Sequence, residues 1–131
     1  MITMPEPRTD LDAARRRLLD TDFARPLPDT VVLTVRGEID TLTAPAFTAA
    51  VTELADTPEP TLVVDLTGVR FLASSGLAVL INAAHRVETR GSRLRLVAVT
   101  RAVLRPLEIT GTEQLFDLHA DLASALAGGS D

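Results

Sequence analysis

The stretch that decides the fold is Val63–Leu80, V-V-D-L-T-G-V-R-F-L-A-S-S-G-L-A-V-L. Its opening is apolar and β-branched, which reads as a buried strand over Leu62–Leu66. Its end starts an apolar stripe at helical spacing, Leu77, Leu80, Ile81, Ala84 and Val87, with Gly91 as the stop. Ser74 and Ser75 therefore stand in the first turn of a helix, directly after a strand. A helix start leaves backbone N–H groups unpaired and carries roughly half a positive charge. A hydroxyl there either caps the helix, worth about 1 kcal/mol, or accepts a phosphate whose dianion the helix end stabilises.

The same reading extends outward in both directions. Val31–Val35 is a strand ending near Gly37, Thr43 is placed to cap the next helix, and Pro45 is tolerated in its first turn. Phe47, Val51 and Leu54 give that helix an inward face, and T-P-E-P at Thr57–Pro60 ends it. Beyond the serine helix come a strand at Leu94–Val99, a short helix around Ala102–Ile109, a short strand at Leu115–Leu118 and a last helix at Asp121–Ala127 stopped by Gly128. Strand, helix, strand, helix, strand implies parallel crossovers. Right-handed crossovers put the loops after successive parallel strands on one edge of the sheet, so Asp40 and Ser74 are expected on the same rim.

Composition bounds the function. A chain of 131 residues with 46% hydrophobic side chains supports one core and one domain. Zero cysteines remove disulfides and thiolate metal sites, and no apolar run approaches the ~20 residues of a membrane span, so a cytoplasmic protein is expected. A net charge of −5 argues against a nucleic-acid footprint, and four phenylalanines are the whole aromatic complement. The arginine run Arg15–Arg17 reads as a solvated face of a short helix. No cofactor is implied.

The serine pair followed by Gly-Leu, the strand V-V-D-L-T-G-V-R-F-L before it and the earlier V-R-G-E-I-D at Val35–Asp40 together resemble the STAS domain of bacterial anti-sigma factor antagonists. The resemblance continues through R-L-R-L-V-A-V (Arg93–Val99), V-L-R-P-L-E-I-T-G (Val103–Gly111) and L-F-D-L (Leu115–Leu118), over about residues 30–127. It implies a single α/β domain over 15–127, with a mixed, mostly parallel sheet of about four to five strands and helices packed on it. Residues 1–14 are then a lead-in and 128–131 a tail. It also places an edge strand at Leu18–Phe23, which Pro26 and Pro28 limit.

The function implied is that of an anti-anti-sigma factor, a protein-binding module rather than an enzyme. It would sequester an anti-sigma factor that is also a serine kinase, and so free a sigma factor for transcription. In the family the serine after an Asp is phosphorylated, which maps to Ser74; here the preceding residue is Ala73. Asp40 matches the family residue implicated in partner and kinase interaction, and its plainer role is a turn residue. Ser75 either shares the cap or keeps the acceptor site small. Gly76 either admits a partner's backbone or packs tightly on the sheet. Ala78 and Asn82, with Val79 and Arg86, face away from the apolar stripe and complete the expected partner surface.

Two other readings stand beside this one. A STAS scaffold or subunit of a sensory or lipid-transport assembly that is never phosphorylated is motivated by Ala73. A serine hydrolase is suggested by a serine between strand and helix with His85 and His119 elsewhere, but L-A-S-S-G lacks the first glycine of the nucleophile elbow. His85 lies roughly 16 Å along the helix from Ser74, outside hydrogen-bond reach. Two histidines without an i,i+4 partner make no metal site.

Overall fold

The computed structural model describes residues 19–127. Arg15–Arg17, Leu18 and the stop at Gly128 lie outside the described residues. The elements run β1 (Leu19–Leu27), β2 (Thr30–Ile39), α1 (Ala44–Asp56), β3 (Thr61–Leu72), α2 (Ser74–Glu88), β4 (Arg95–Val97), α3 (Arg101–Thr110), a 3-10 turn (Thr112–Leu115), β5 (Asp117–His119) and α4 (Leu122–Ala127). The strands lie side by side in chain order. β1 and β2 form an antiparallel hairpin, and each later pair is parallel. Each parallel step needs a crossover, and α1, α2 and α3 supply them. The result is the expected mixed, mostly parallel α/β sheet.

The two faces of the sheet are covered unequally, and the sequence of the central strands follows that cover. The main core lies between one face and α1–α3, and it includes Val31, Leu33, Val35, Leu62, Val64 and Leu66. On the other face, among the described residues, only Val32, Val63 and Val97 of the strands are buried, beneath Ala125 of α4. A helix of six residues is only about 9 Å long, so it shields one end of the strands. Where both faces are covered the strands read continuously apolar, as in Val31–Leu33 and Leu62–Val64. Past that point they alternate, with Thr34, Arg36, Asp65 and Thr67 facing the uncovered side.

This asymmetry explains where the expected boundaries shift. β3 runs on to Leu72 rather than stopping at Leu66, because two register irregularities against β2 absorb Thr67–Phe71 without breaking the ladder. β1 passes through Pro26 to Leu27; an edge strand tolerates a missing N–H, and the register shifts between Ala24 and Leu27. β4 is confined to Arg95–Val97, flanked by buried Leu94 and Ala98. The strand expected at Leu115–Leu118 begins at Asp117, after the 3-10 turn. Helix α2 ends at Glu88, and Gly91 takes a left-handed φ of 83° in the turn beyond it. Of the expected stripe, Leu77, Leu80, Ala84 and Val87 are buried, while Ile81 is half-buried.

Candidate functional site

The C-terminal ends of β2 and β3 bring the Asp40 loop and the serine helix together. Ile39 and Leu72 are register partners, and the N–H of Ala73 donates to the carbonyl oxygen of Ile39 at 2.8 Å. Ala73 is extended, with φ −76° and ψ 163°, and holds the N-cap position of α2; Ser74 is the first helical residue and Ser75 the second. The Ala73 carbonyl accepts from the N–H groups of Gly76 (3.0 Å) and Leu77 (3.1 Å). No side chain caps the helix.

The expectation that Ser74 or Ser75 caps α2 is therefore corrected. The side chain that would reach the first-turn amides belongs to position 73, and alanine has no oxygen to offer. Ser74 is exposed, and its hydroxyl makes no hydrogen bond among the described residues. Ser75 points inward, and its Oγ is buried without a hydrogen-bond partner. The first turn of α2 contains no acidic residue. Ser74 is thus a free hydroxyl at the electropositive end of a helix whose N–H groups lack a side-chain acceptor.

Asp40 is engaged in its own loop. Its Oδ1 accepts from the N–H groups of Leu42 (3.0 Å) and Thr43 (3.1 Å), the arrangement of an Asx turn. Thr43 holds the N-cap position of α1, but its hydroxyl turns back instead of capping. It donates to the carbonyl of Glu38 at 2.7 Å and accepts from the N–H of Asp40 at 3.0 Å. This fully buried threonine welds the end of β2 to the start of α1. Asp40 therefore fills the turn role, and its Oδ2 has no partner among the described residues.

Gly76 is buried, and a Cβ built on it would lie 2.4 Å from Ile39 Cγ2 and 2.9 Å from Leu72 Cδ1. Its packing role is to let α2 sit directly on the strand ends, so it lies beneath the presented surface. Ala78 and Asn82 are exposed in line with Ser74, at i+4 and i+8. Val79 is half-buried and Arg86 is ion-paired with Asp56 of α1. A groove of about 100 Å³ between α1 and α2 is lined by Thr48, Val51, Val79, Asn82 and Arg86, among others.

The histidines lie elsewhere. His85 is exposed three turns along α2, and His119 pairs with Val97 on β5, level with Asp65 of β3. Seven residues of extended chain separate Asp65 from Leu72, about 23 Å, so His119 cannot couple to Ser74. Among the described residues no group of three or more His, Asp or Glu is placed to hold a metal ion, and no helix is long and apolar enough to cross a membrane.

Three large apolar side chains on the rim escaped the sequence reading. Leu42 is 42% exposed, Phe71 50% and Val99 48%, and they follow or end β2, β3 and β4 respectively. The signal was present for Phe71 alone: it alternates with the buried Leu72 at the end of a strand, so one of the two had to face out.

A family model described as the STAS domain matches residues 24–125. Two curated relatives are similar: the anti-sigma-F factor antagonist RsfA of Mycobacterium tuberculosis, 37% identical over 100 residues, covering 74% of this chain and 77% of that protein, and the anti-sigma-F factor antagonist RsfB of the same organism, 34% identical over 99 residues, covering 74% and 79%. A crystal structure of an anti-sigma factor antagonist from Mycobacterium paratuberculosis superposes with a TM-score of 0.79 at 33% identity, over 86% of this chain and 95% of that one.

Proposed function

The chain belongs to the STAS domain family, and we propose that it works as an anti-sigma factor antagonist whose binding is switched by phosphorylation of Ser74. Unphosphorylated, it binds an anti-sigma factor with serine kinase activity through the Asp40 loop and the exposed face of α2 at Ser74, Ala78 and Asn82, with Ser75 turned inward beneath that face. Binding displaces a sigma factor. Phosphorylation places close to two negative charges inside that contact, and each 1.4 kcal/mol of lost interaction is a tenfold loss in affinity.

One observation carries the reading: Ser74 is the exposed first residue of an uncapped helix, beside the loop of Asp40, on the rim where the strand ends converge. Its hydroxyl is accessible to a kinase cleft, and the free amides around it favour the product dianion. The buried Ser75 Oγ supports Ser74 as the acceptor of the pair. Ala73 favours a second reading, a STAS scaffold that binds its partner without ever being phosphorylated.

The test is incubation of the chain with ATP and each anti-sigma factor of the source organism, followed by phosphopeptide mapping. Phosphate is expected on Ser74 and absent from Ser75, Ser92 and Ser124. Ser74→Glu is expected to bind the partner at least about tenfold more weakly than Ser74→Ala. Modification that survives in Ser74→Ala defeats the assignment. Binding without modification by any of these factors establishes the scaffold reading instead.

A further inference from the structure

The described arginines fall into two groups. Arg25, Arg36, Arg86 and Arg93 pair with Glu59, Asp20, Asp56 and Asp117. Arg90 donates to the carbonyls of Ala55 and Glu59, and Arg95 to that of Ala125. The side chains of Arg70, Arg101 and Arg105 form no hydrogen bond or ion pair among the described residues. In a chain of net charge −5, with more carboxylates than cations, three arginines left without a carboxylate among the described residues are unexpected.

The segments that carry them are neighbours. The Thr100 hydroxyl reaches the carbonyl of Val69 at 3.5 Å, which sets Arg101 beside the stretch that carries Arg70. Arg101 and Arg105 are exposed and one helical turn apart on α3. Arg101 is the first residue of that helix, where the macrodipole disfavours a cation, and no acidic residue sits in the first turn to offset it. Local stability does not account for an arginine there. Phe71 and Val99, the neighbours of Arg70 and Thr100, are the half-exposed apolar side chains of this same flank.

The strand order gives the rim two unlike sides. On the β2 side lie the carboxylates of Glu38 and Asp40; on the β4 side lie Arg70, Arg101 and Arg105, and Ser74 stands between them. The helices that start toward the β4 side of this rim, α2 and α3, both lack acidic residues in their first turns, which leaves their positive ends uncompensated there.

We propose that Arg70, Phe71, Val99, Arg101 and Arg105 form a docking flank for an acidic segment of the partner protein that carries at least one apolar side chain. The inference rests on the reading of the chain as an anti-sigma factor antagonist and specifies the chemistry of the surface it meets. It also gives the switch its electrostatic sense. A phosphate on Ser74 neutralises the attraction of the arginine flank and repels the acidic segment directly, so one modification acts twice.

Two measurements test the flank and keep its failure apart from that of the functional reading. In the first, the 15N-labelled chain is titrated with acetyl-Glu-Leu-Asp-Glu-Leu-Asp-amide and with the lysine counterpart, acetyl-Lys-Leu-Lys-Lys-Leu-Lys-amide. Amide shifts are expected at Arg70, Phe71, Val99 and Arg101 with the acidic peptide alone, fading at high salt. Shifts confined to other residues, equal response to the lysine peptide, or preferential binding to phosphatidylglycerol vesicles overturn the proposal. In the second, Arg70→Glu and Arg101→Glu are compared with the parent chain for binding to the purified anti-sigma factors of the source organism. Charge reversal is expected to weaken the complex at least about tenfold, chiefly through slower association. Unchanged affinity overturns the flank and leaves the functional reading standing. If no anti-sigma factor binds the parent chain while the acidic peptide still maps to these residues, the functional reading fails and the flank survives.

Discussion

Ile39 Cγ2 lies 2.4 Å from the point that a Cβ on Gly76 would occupy, so the end of β2 and the first turn of α2 meet with no room for a side chain between them. The backbone that carries the proposed phosphoacceptor is positioned by that contact rather than by a cap.

Gly76→Ala is expected to destabilise the protein despite the better helix propensity of alanine. The propensity gain is about 1 kcal/mol, but the new methyl group overlaps Ile39 and Leu72, and overpacking of this kind costs about 1–3 kcal/mol. Denaturant unfolding should show a lower midpoint with an unchanged slope. Gly76→Ala combined with Ile39→Ala removes the clashing Cγ2, so the two substitutions should cost less together than the sum of their separate effects.

Ser74→Ala is expected to change stability by less than about 0.5 kcal/mol, because Ser74 makes no cap and touches no partner among the described residues. Ala73→Asp, by contrast, puts an acceptor at the N-cap and should stabilise by about 1 kcal/mol. If a carboxylate at position 73 also aligns the neighbouring hydroxyl for phosphoryl transfer, the same substitution raises the rate of phosphorylation at Ser74 with little change in affinity. Thermal melting and a timed kinase assay check the two effects separately.

Thr43→Val is expected to be among the more damaging conservative changes in the chain. The hydroxyl is fully buried, donates to the Glu38 carbonyl and accepts from the Asp40 N–H. Its removal leaves both backbone groups unpaired in the interior, at about 1–3 kcal/mol. Hydrogen exchange at the Asp40 and Thr43 amides should rise more than elsewhere in the sheet.

Glu59 supplies a pH dependence. Its carboxyl is held below the ordinary value of 4.5, first by the hydrogen bond from Arg25, then by a backbone N–H, and further by the charges of Arg25 and Arg90, against a smaller opposing effect of burial. A lowered folded-state value means stability that is present in full above the unfolded value and is lost as pH falls through the folded one. The melting temperature should therefore decline below about pH 4.5, and Glu59→Gln should flatten that decline. An unaltered acid limb in the variant would remove Glu59 from the account.

Much of this architecture was legible in the sequence because its signals are local. Phe47, Val51 and Leu54 turned inward as their spacing required, and Val31–Leu33 read as a strand because both its faces are covered. The length of β3 was not legible in the apolar pattern, which stops at Leu66, since Thr67, Gly68 and Arg70 look like a loop until the register against β2 shows them absorbed as irregularities; only the family resemblance carried the strand on to Leu72. At the site, the shared rim of Asp40 and Ser74 followed from crossover handedness alone. The assignment of the cap did not, because moving the helix start by one residue transfers the N-cap from a serine to Ala73. The arginine flank was invisible for a related reason: only the pairing of the other arginines reveals that three have no partner among the described residues.

The antiparallel hairpin at the start of the domain has a practical consequence for tethering. Leu19 pairs with Gly37, two positions before the end of β2, so β1 departs from the rim and any segment joined ahead of it is anchored within reach of Asp40 and Ser74. The opposite end of the domain is remote from that surface, since the Ala125 carbonyl is held by Arg95 at the start of β4. A fluorophore, immobilisation tag or fused reporter placed after α4 leaves the rim open to a partner, whereas the same group placed before β1 competes with that partner for space.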